Sequence, residues 1–211
     1  MPDPSKLALF VPAALALLVV PGPAVLYIVT QSVSRGRRAG LVSMLGIEAG
    51  GLVHVLAAAV GLSALLASSA VAFSIVKYAG AAYLVFLGLR RLLGRDNGTA
   101  PGAAETRTHG QLFRQGVVVN VLNPKTALFF LAFLPQFVDR SSGSVTLQLL
   151  VLGLLFVTLA TLSDGLYAVA AGAAGHRLRA SSRLVRRERY VSGGVLVGLG
   201  VAAAASSSRS A

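Results

Sequence analysis

The chain has 211 residues, of which 55% are hydrophobic and only 12% are charged, and its mean hydropathy is +0.75. An ordinary soluble domain has about 25% charged residues, so this composition excludes a water-soluble enzyme or a disordered protein and favours a multi-span membrane protein. The absence of cysteine excludes disulfides, cysteine-ligated metals and thiol nucleophiles.

Long uncharged stretches predict six transmembrane helices, because a spanning helix needs about 20 mostly apolar residues and must satisfy its backbone amides internally. In chain order they lie near residues 7–31, 39–66, 71–92, 113–135, 145–174 and 190–206. Ser68-Ser69 is the weak turn between the second and third spans. The first stretch is too long for a cleaved signal peptide. The predicted fold class is an all-α integral membrane protein.

Basic residues in the loops predict the orientation. The loops after helices one, three and five together hold 14 arginines, whereas the opposite side holds four basic residues. The positive-inside rule therefore places those three loops in the cytoplasm and both termini outside. The net charge of +12 is then mainly a topology signal, with contact to anionic membrane lipids as a second effect. No nucleic-acid partner is expected.

The first and fourth predicted helices are each interrupted at a proline. The interruptions are Pro21-Gly22-Pro23 and Asn123-Pro124-Lys125, about 100 residues apart. Each opens a group of three spans, and because three is odd the two groups have opposite orientations. The sequence thus predicts two inverted three-helix repeats with broken first and fourth helices. Paired breaks in matching positions indicate the binding site of a secondary transporter, whereas either one alone would suggest an ordinary proline kink.

The predicted organisation follows from this repeat. Residues 1–93 form the first three-helix repeat, residues 94–112 a cytoplasmic loop, and residues 113–211 the second repeat.

Each break can present a helix N-terminus inside the membrane. Proline lacks the backbone N–H that would donate a helix hydrogen bond, and its ring clashes with the preceding turn, so the helix stops and restarts there. Asn123 can cap the restarted helix with Pro124 as its first residue, and Gly22-Pro23 can do the same in the first span. A helix N-terminus favours an anion. We therefore predict that a substrate carboxylate binds near Pro21, Gly22, Pro23, Asn123, Pro124 and Lys125.

Three charged residues fall deep inside predicted spans. Glu48, Lys125 and Asp164 each lie roughly 15–20 Å along a helix from the nearest cytoplasmic arginine, close to the middle of a core about 30 Å thick. Charges at that depth are functional by default. Desolvation favours a neutral carboxyl, so either acid is a candidate for proton coupling. A nearby Lys125 would oppose this effect, so the acid farther from Lys125 is the better candidate. Glu48 is slightly favoured because it lies off the stripe of small residues and is free to face a cavity.

Two further features of the second span concern packing. Gly46-x-x-x-Gly50 predicts close contact with another helix. His54 lies on the same stripe, and two interpretations remain open for it: a packed, hydrogen-bonded histidine or a proton relay.

At these residues the chain resembles the lysine-exporter (LysE-type) family, in its threonine/homoserine-efflux branch. The matching pieces are Pro21-Gly22-Pro23, Gly46 to His54 with Gly61-Leu62, and Asn123-Pro124-Lys125 followed by Phe129-Phe130 and Pro135-Gln136-Phe137. The resemblance covers the length of the chain. It implies a multi-pass exporter of amino acids or close derivatives in the bacterial inner membrane, driven by the proton gradient. It leaves the substrate and the coupling stoichiometry open.

The leading hypothesis is a proton-coupled amino-acid exporter, with Glu48 or Asp164 taking the substrate ammonium. The alternative is a membrane channel or a non-transporting membrane subunit. An enzyme is not expected: Gly61-Leu62-Ser63 resembles an intramembrane protease motif, but His54 lies roughly 13 Å away along the same helix, too far to act as a base. No metal-binding spacing is present and no cofactor is expected. The oligomeric state is open, and a homodimer is compatible with the sequence.

Overall fold

The structure, a computed structural model, describes residues 4–62, 108–139, 141 and 143–174, together with isolated positions within 75–93 and 197–201. All regular secondary structure in these residues is helical. The helices are α1 (Pro4–Val19), α2 (Pro23–Arg35), α3 (Arg37–Ala57), α4 (His109–Val121), α5 (Pro124–Leu128) and α6 (Val145–Ala174). The predicted Ser68-Ser69 turn and most of the predicted third and sixth spans lie outside the described residues. The six-helix count and the inverted repeat therefore stay predictions.

Two helical stretches, Arg37–Gly61 and Val145–Ala173, are long and apolar enough to cross a membrane. They coincide with the predicted second and fifth spans. The pair α1 and α2 is bent by 51° and the pair α4 and α5 by 45°, and each pair qualifies together as one broken span or as a re-entrant loop. The described residues thus contain two to four candidate spans. The predicted breaks in the first and fourth spans are confirmed.

The start of α4 differs from the prediction. The helix begins at His109 rather than near residue 113, because Thr108 and Gln111 form a capping box. The Thr108 hydroxyl accepts from the Gln111 amide at 3.3 Å, and the Gln111 side-chain oxygen accepts from the Thr108 amide at 2.8 Å. These bonds satisfy two backbone donors that a helix start otherwise leaves open. Helix α4 therefore begins within the segment that the sequence analysis assigns to the loop over 94–112.

Two helices change their winding near the ends. A π-helical turn over Ala58–Leu62 continues α3, and α5 continues as a π-helix over Phe129–Phe133 and a 3-10 turn over Leu134–Phe137. Pro135 has no backbone N–H group to donate a helix hydrogen bond, so it interrupts a regular helix. These turns extend the second and fourth candidate spans along the apolar core, where Phe129 stacks on Phe156 at a ring distance of 4.5 Å.

Small residues bring α3 and α4 into backbone contact. A Cβ added to Gly50 would lie 2.8 Å from the Val117 carbonyl oxygen, and one added to Gly116 would lie 2.6 Å from the Ser43 carbonyl oxygen. Real Cβ atoms do not approach carbonyl oxygens so closely, so only glycine permits this crossing. The close packing predicted for the Gly46 and Gly50 stripe is confirmed. It fixes Glu48 on α3 relative to the break between α4 and α5.

A basic residue makes a contact between distant segments at each end of the bundle. The Lys6 ammonium donates to the Val138 carbonyl oxygen at 3.1 Å, so the start of α1 meets the segment after α5. At the other end Gly36, with a φ of 89°, turns the chain from α2 into α3, and Arg37 packs against Gly172 near the end of α6. The positive φ favours glycine at this turn.

Candidate functional site

The first break separates α1 from α2. Helix α1 ends at Val19, and α2 begins at Pro23 with Gly22 as its cap residue. Gly22 has no side chain to accept a bond, and the first amides of a helix have no partner within the helix. The positive end of the α2 dipole is therefore presented at Gly22.

The second break separates α4 from α5 and forms as the sequence predicts. Asn123 is the cap residue and Pro124 the first residue of α5, and the Asn123 side-chain oxygen accepts from the Lys125 amide at 3.1 Å. Asn123 is only 2% exposed, so this bond is made in the interior of the bundle. The asparagine side chain thereby supplies an acceptor for an amide that the break leaves without a carbonyl partner in the helix.

Lys125 reaches from the second break to the first. Its ammonium donates to the Leu17 carbonyl oxygen at 2.7 Å and also to the Val20 carbonyl oxygen, at the C-terminal end of α1. The contact partners are backbone carbonyls of the first broken span, which the sequence did not indicate. The lysine nevertheless lines the same cavity as Gly22.

The two acids are both buried and both line that cavity. Glu48 on α3 is 8% exposed and Asp164 on α6 is 4% exposed. One carboxyl oxygen of each acid has no hydrogen-bond partner within the described part of the chain. Asp164 interacts electrostatically with both Glu48 and Lys125. Both acids stay candidates for proton coupling, of which the sequence analysis favours Glu48.

A cavity of about 40 Å³ joins these groups. Its walls come from both broken spans, α3 and α6. The polar residues that line it are Glu48, Asn120, Asn123, Lys125, Thr126 and Asp164. Apolar side chains, among them Leu18, Phe156 and Val157, complete the wall. Of the predicted site residues, Gly22, Asn123, Lys125, Glu48 and Asp164 lie together here, whereas Pro21, Pro23, Pro124 and His54 are not among the lining residues.

Asn120 is a site residue that the sequence analysis missed. Its amide nitrogen donates to the Ile47 carbonyl oxygen at 2.7 Å, next to Glu48, and its side-chain oxygen accepts from the Thr126 hydroxyl at 3.0 Å. Asn120 therefore ties α3 to both sides of the second break. A polar residue one helical turn before Asn123, inside an apolar stretch, was the available signal.

His54 closes the end of α4. Its Nε2 lies 2.9 Å from the Asn120 carbonyl oxygen, and its ring stacks on Phe130 at 5.9 Å. A carbonyl oxygen can only accept, so Nε2 carries the hydrogen in this contact. His54 is therefore packed and hydrogen-bonded, and its role as a proton relay stays a prediction.

Apolar helices around an internal cavity that contains two acids and a lysine define a polytopic membrane protein with a polar central site. The chain matches the family model described as LysE type translocator over residues 15–207. It therefore belongs to the LysE type translocator family. Membership of this family places it among membrane transporters and not among enzymes.

Relatives with efflux names cover part of the chain. The homoserine/homoserine lactone efflux protein of Salmonella typhimurium is 34% identical over 137 residues, 65% of this chain and 66% of that protein. The leucine efflux protein of the same organism is 34% identical over 129 residues, 60% of each chain. A Vibrio cholerae protein named "Uncharacterized membrane protein" is 31% identical over 188 residues, 89% of this chain and 91% of its own length. No solved structure matches the chain.

Proposed function

We propose that the protein exports amino acids or close derivatives across the bacterial inner membrane in exchange for protons. The observation that carries the proposal is the single cavity in which both helix breaks meet Glu48, Asp164 and Lys125. Membership of a translocator family and the names of the efflux relatives support the export of amino acids.

The substrate carboxylate binds at the first break in this proposal. Gly22, Ala24 and Val25 at the start of α2 line the cavity, and the first amides of a helix suit an anion. The Lys125 charge adds to this attraction from the second break, and Asn123 and Thr126 contribute polar groups beside it. The carboxylate thus meets both breaks at once.

The substrate ammonium binds at the two acids. Both carboxyl groups line the cavity, and each has an oxygen without a hydrogen-bond partner in the residues described. Buried polar atoms without partners are costly, so a cationic ligand or a proton stabilises them. Export follows when a proton from outside replaces the ammonium at one acid, with Glu48 favoured.

Substrate entry requires the site to open. A cavity of about 40 Å³ holds roughly three water molecules, which is less space than an amino acid needs. The two breaks are the natural hinges for this opening, because they are the points at which the first and fourth spans already bend. A carrier that closes around its substrate is therefore favoured over an open channel.

Efflux from loaded vesicles tests the proposal. Proteoliposomes filled with a panel of labelled amino acids and dipeptides should release at least one amino acid faster than protein-free vesicles. Release should accelerate when the outer medium is made more acidic than the lumen in vesicles oriented as in the cell. A channel predicts release without such acceleration, and a non-transporting subunit predicts no release.

A further inference from the structure

The C-terminal end of α1 is closed by side chains from α5 and α6. A helix leaves its last carbonyl oxygens without partners in the helix. At α1 the Lys125 ammonium binds the Leu17 and Val20 oxygens, and the Tyr167 hydroxyl donates to the Val19 oxygen at 2.8 Å. The broken end of α1 is thus held by two side chains from more than 100 residues away along the sequence.

This end of α1 has the chemistry of a cation site. Exposed carbonyls at a helix C-terminus carry partial negative charge. In transporters with broken spans, carbonyls at such ends coordinate a coupling ion such as Na⁺. Here the positive charge at the carbonyls belongs to the protein itself.

We propose that Lys125 is a tethered cation that occupies the ion site at the broken end of α1 and links the two breaks. It is a positioning residue in the empty protein: it fixes the end of α1, so that the start of α2 faces the cavity. This role differs from neutralising Asp164 or binding a carboxylate, since it operates with no substrate present. Its consequence for export rests on the proposed function, but the contact with α1 does not.

Two consequences follow from a lysine at this site. Removal of the ammonium should lower the thermal stability of the substrate-free protein, because at least two carbonyl oxygens in the interior lose a charged donor. A free sodium ion should also be unnecessary for wild-type export, because the site it would use is already filled.

Cysteine replacement gives a direct test, because the chain contains no cysteine of its own. Lys125→Cys is alkylated either with 2-bromoethylamine, which rebuilds a side chain of lysine length ending in an ammonium, or with iodoethane, which adds a neutral group. Intact mass verifies each modification, and the thermal midpoint is measured in detergent without substrate. We expect the neutral form to melt roughly 5 °C below wild type and the aminoethylated form to recover most of that loss.

Two variants serve as controls. Lys6→Ala removes another bond between a lysine and a carbonyl oxygen, but at the rim of the bundle, and should change the midpoint much less. Lys125→Met with Asp164→Asn removes the lysine together with its acidic neighbour, and should stay as unstable as Lys125→Met. Recovery of the midpoint in this double variant would show that Lys125 only neutralises Asp164, and would overturn the proposal.

Other outcomes are equally decisive. Equal midpoints for the ethylated, aminoethylated and wild-type proteins would overturn the tethered-cation role. If the neutral variants cannot be purified in a folded state, Lys125→Arg provides the test. A folded Lys125→Arg protein would support the role, and an arginine variant that fails to fold like the neutral variants would contradict it. Replacing Na⁺ by N-methylglucamine should leave wild-type export unchanged, and a sodium requirement would contradict the proposal. If wild type exports nothing while the midpoints behave as expected, only the proposed function fails.

Discussion

At both helix breaks, polar side chains form hydrogen bonds with backbone groups that lack a partner in the helix. Asn123 caps the start of α5, His54 binds the carbonyl at the end of α4, and Lys125 binds the end of α1. Each replaces a partner that a continuous helix would supply. In an apolar bundle these substitutes matter, because broken backbone groups are shielded from bulk water there. Asn123 and Lys125, which line the cavity, are therefore also residues that allow the backbone to break there.

Asn123 offers the clearest test of this double role. Asn123→Ala should lower the free energy of unfolding by about 1 kcal/mol and reduce export strongly, because α5 loses its cap and the cavity loses a polar group. Asn123→Ser keeps a capping oxygen and should recover the stability. Thermal unfolding in detergent and efflux from vesicles measure the two effects. Equal stability of the alanine and serine variants would show that the cap contributes nothing.

Between elements, glycine determines where the site lies. Because Gly46, Gly50 and Gly116 let the backbones of α3 and α4 touch, Glu48 on α3 is brought beside the second break. A wider crossing would separate Glu48 from Asn120 and Lys125. The position of Glu48 therefore depends on glycines at the helix crossing, which have no side chain to keep the backbones apart.

Gly116→Ala should disturb this crossing. Its Cβ would meet the Ser43 carbonyl oxygen at 2.6 Å, and overpacking of this kind costs about 1–3 kcal/mol. Gly110→Ala on the same helix is the matched control, since no atom of the described residues lies within 4 Å of its Cβ. Thermal midpoints of the two purified variants measure the difference. If Gly110→Ala is as unstable as Gly116→Ala, the loss comes from elsewhere than the crossing.

The sequence predicts those elements whose signals are local. The Asn123 cap and both breaks follow from proline and asparagine chemistry within a few residues, and the Gly46 and Gly50 stripe predicts a close helix contact. The contact of Lys125 with α1 and that of His54 with Asn120 depend on how distant helices pack, so no spacing in the sequence reveals them. The π-helical turns that continue α3 and α5 lie at the phenylalanine core, and no local signal in the sequence predicts them.

For the whole molecule, the distribution of arginines predicts the orientation in the membrane. Position 103 belongs to the predicted third loop, outside the described residues, and a cysteine introduced there should be cytoplasmic. An impermeant thiol reagent should fail to label it in intact cells and should label it after the membrane is opened. A cysteine beside Lys6 should show the opposite behaviour. Labelling of position 103 in intact cells would reverse the predicted topology.

In the proposed mechanism, the charges of the cavity change as the site opens. Glu48 and Asp164 line the same small cavity as Lys125, whose ammonium is held by α1. A zwitterionic substrate adds no net charge, so a proton is the simplest partner that can alter the balance. The two acids are therefore where substrate binding and proton movement should meet.

The most direct test compares gradient-driven efflux in wild type, Glu48→Gln and Asp164→Asn. Vesicles loaded with an exported amino acid are diluted into media with and without an imposed pH gradient, and initial release rates are recorded. Wild type should accelerate with the gradient, whereas the amide variant of the coupling acid, with Glu48 favoured, should still bind substrate but release it at a rate independent of the gradient. If both variants accelerate as wild type does, neither acid couples protons to export and the proposed mechanism is wrong.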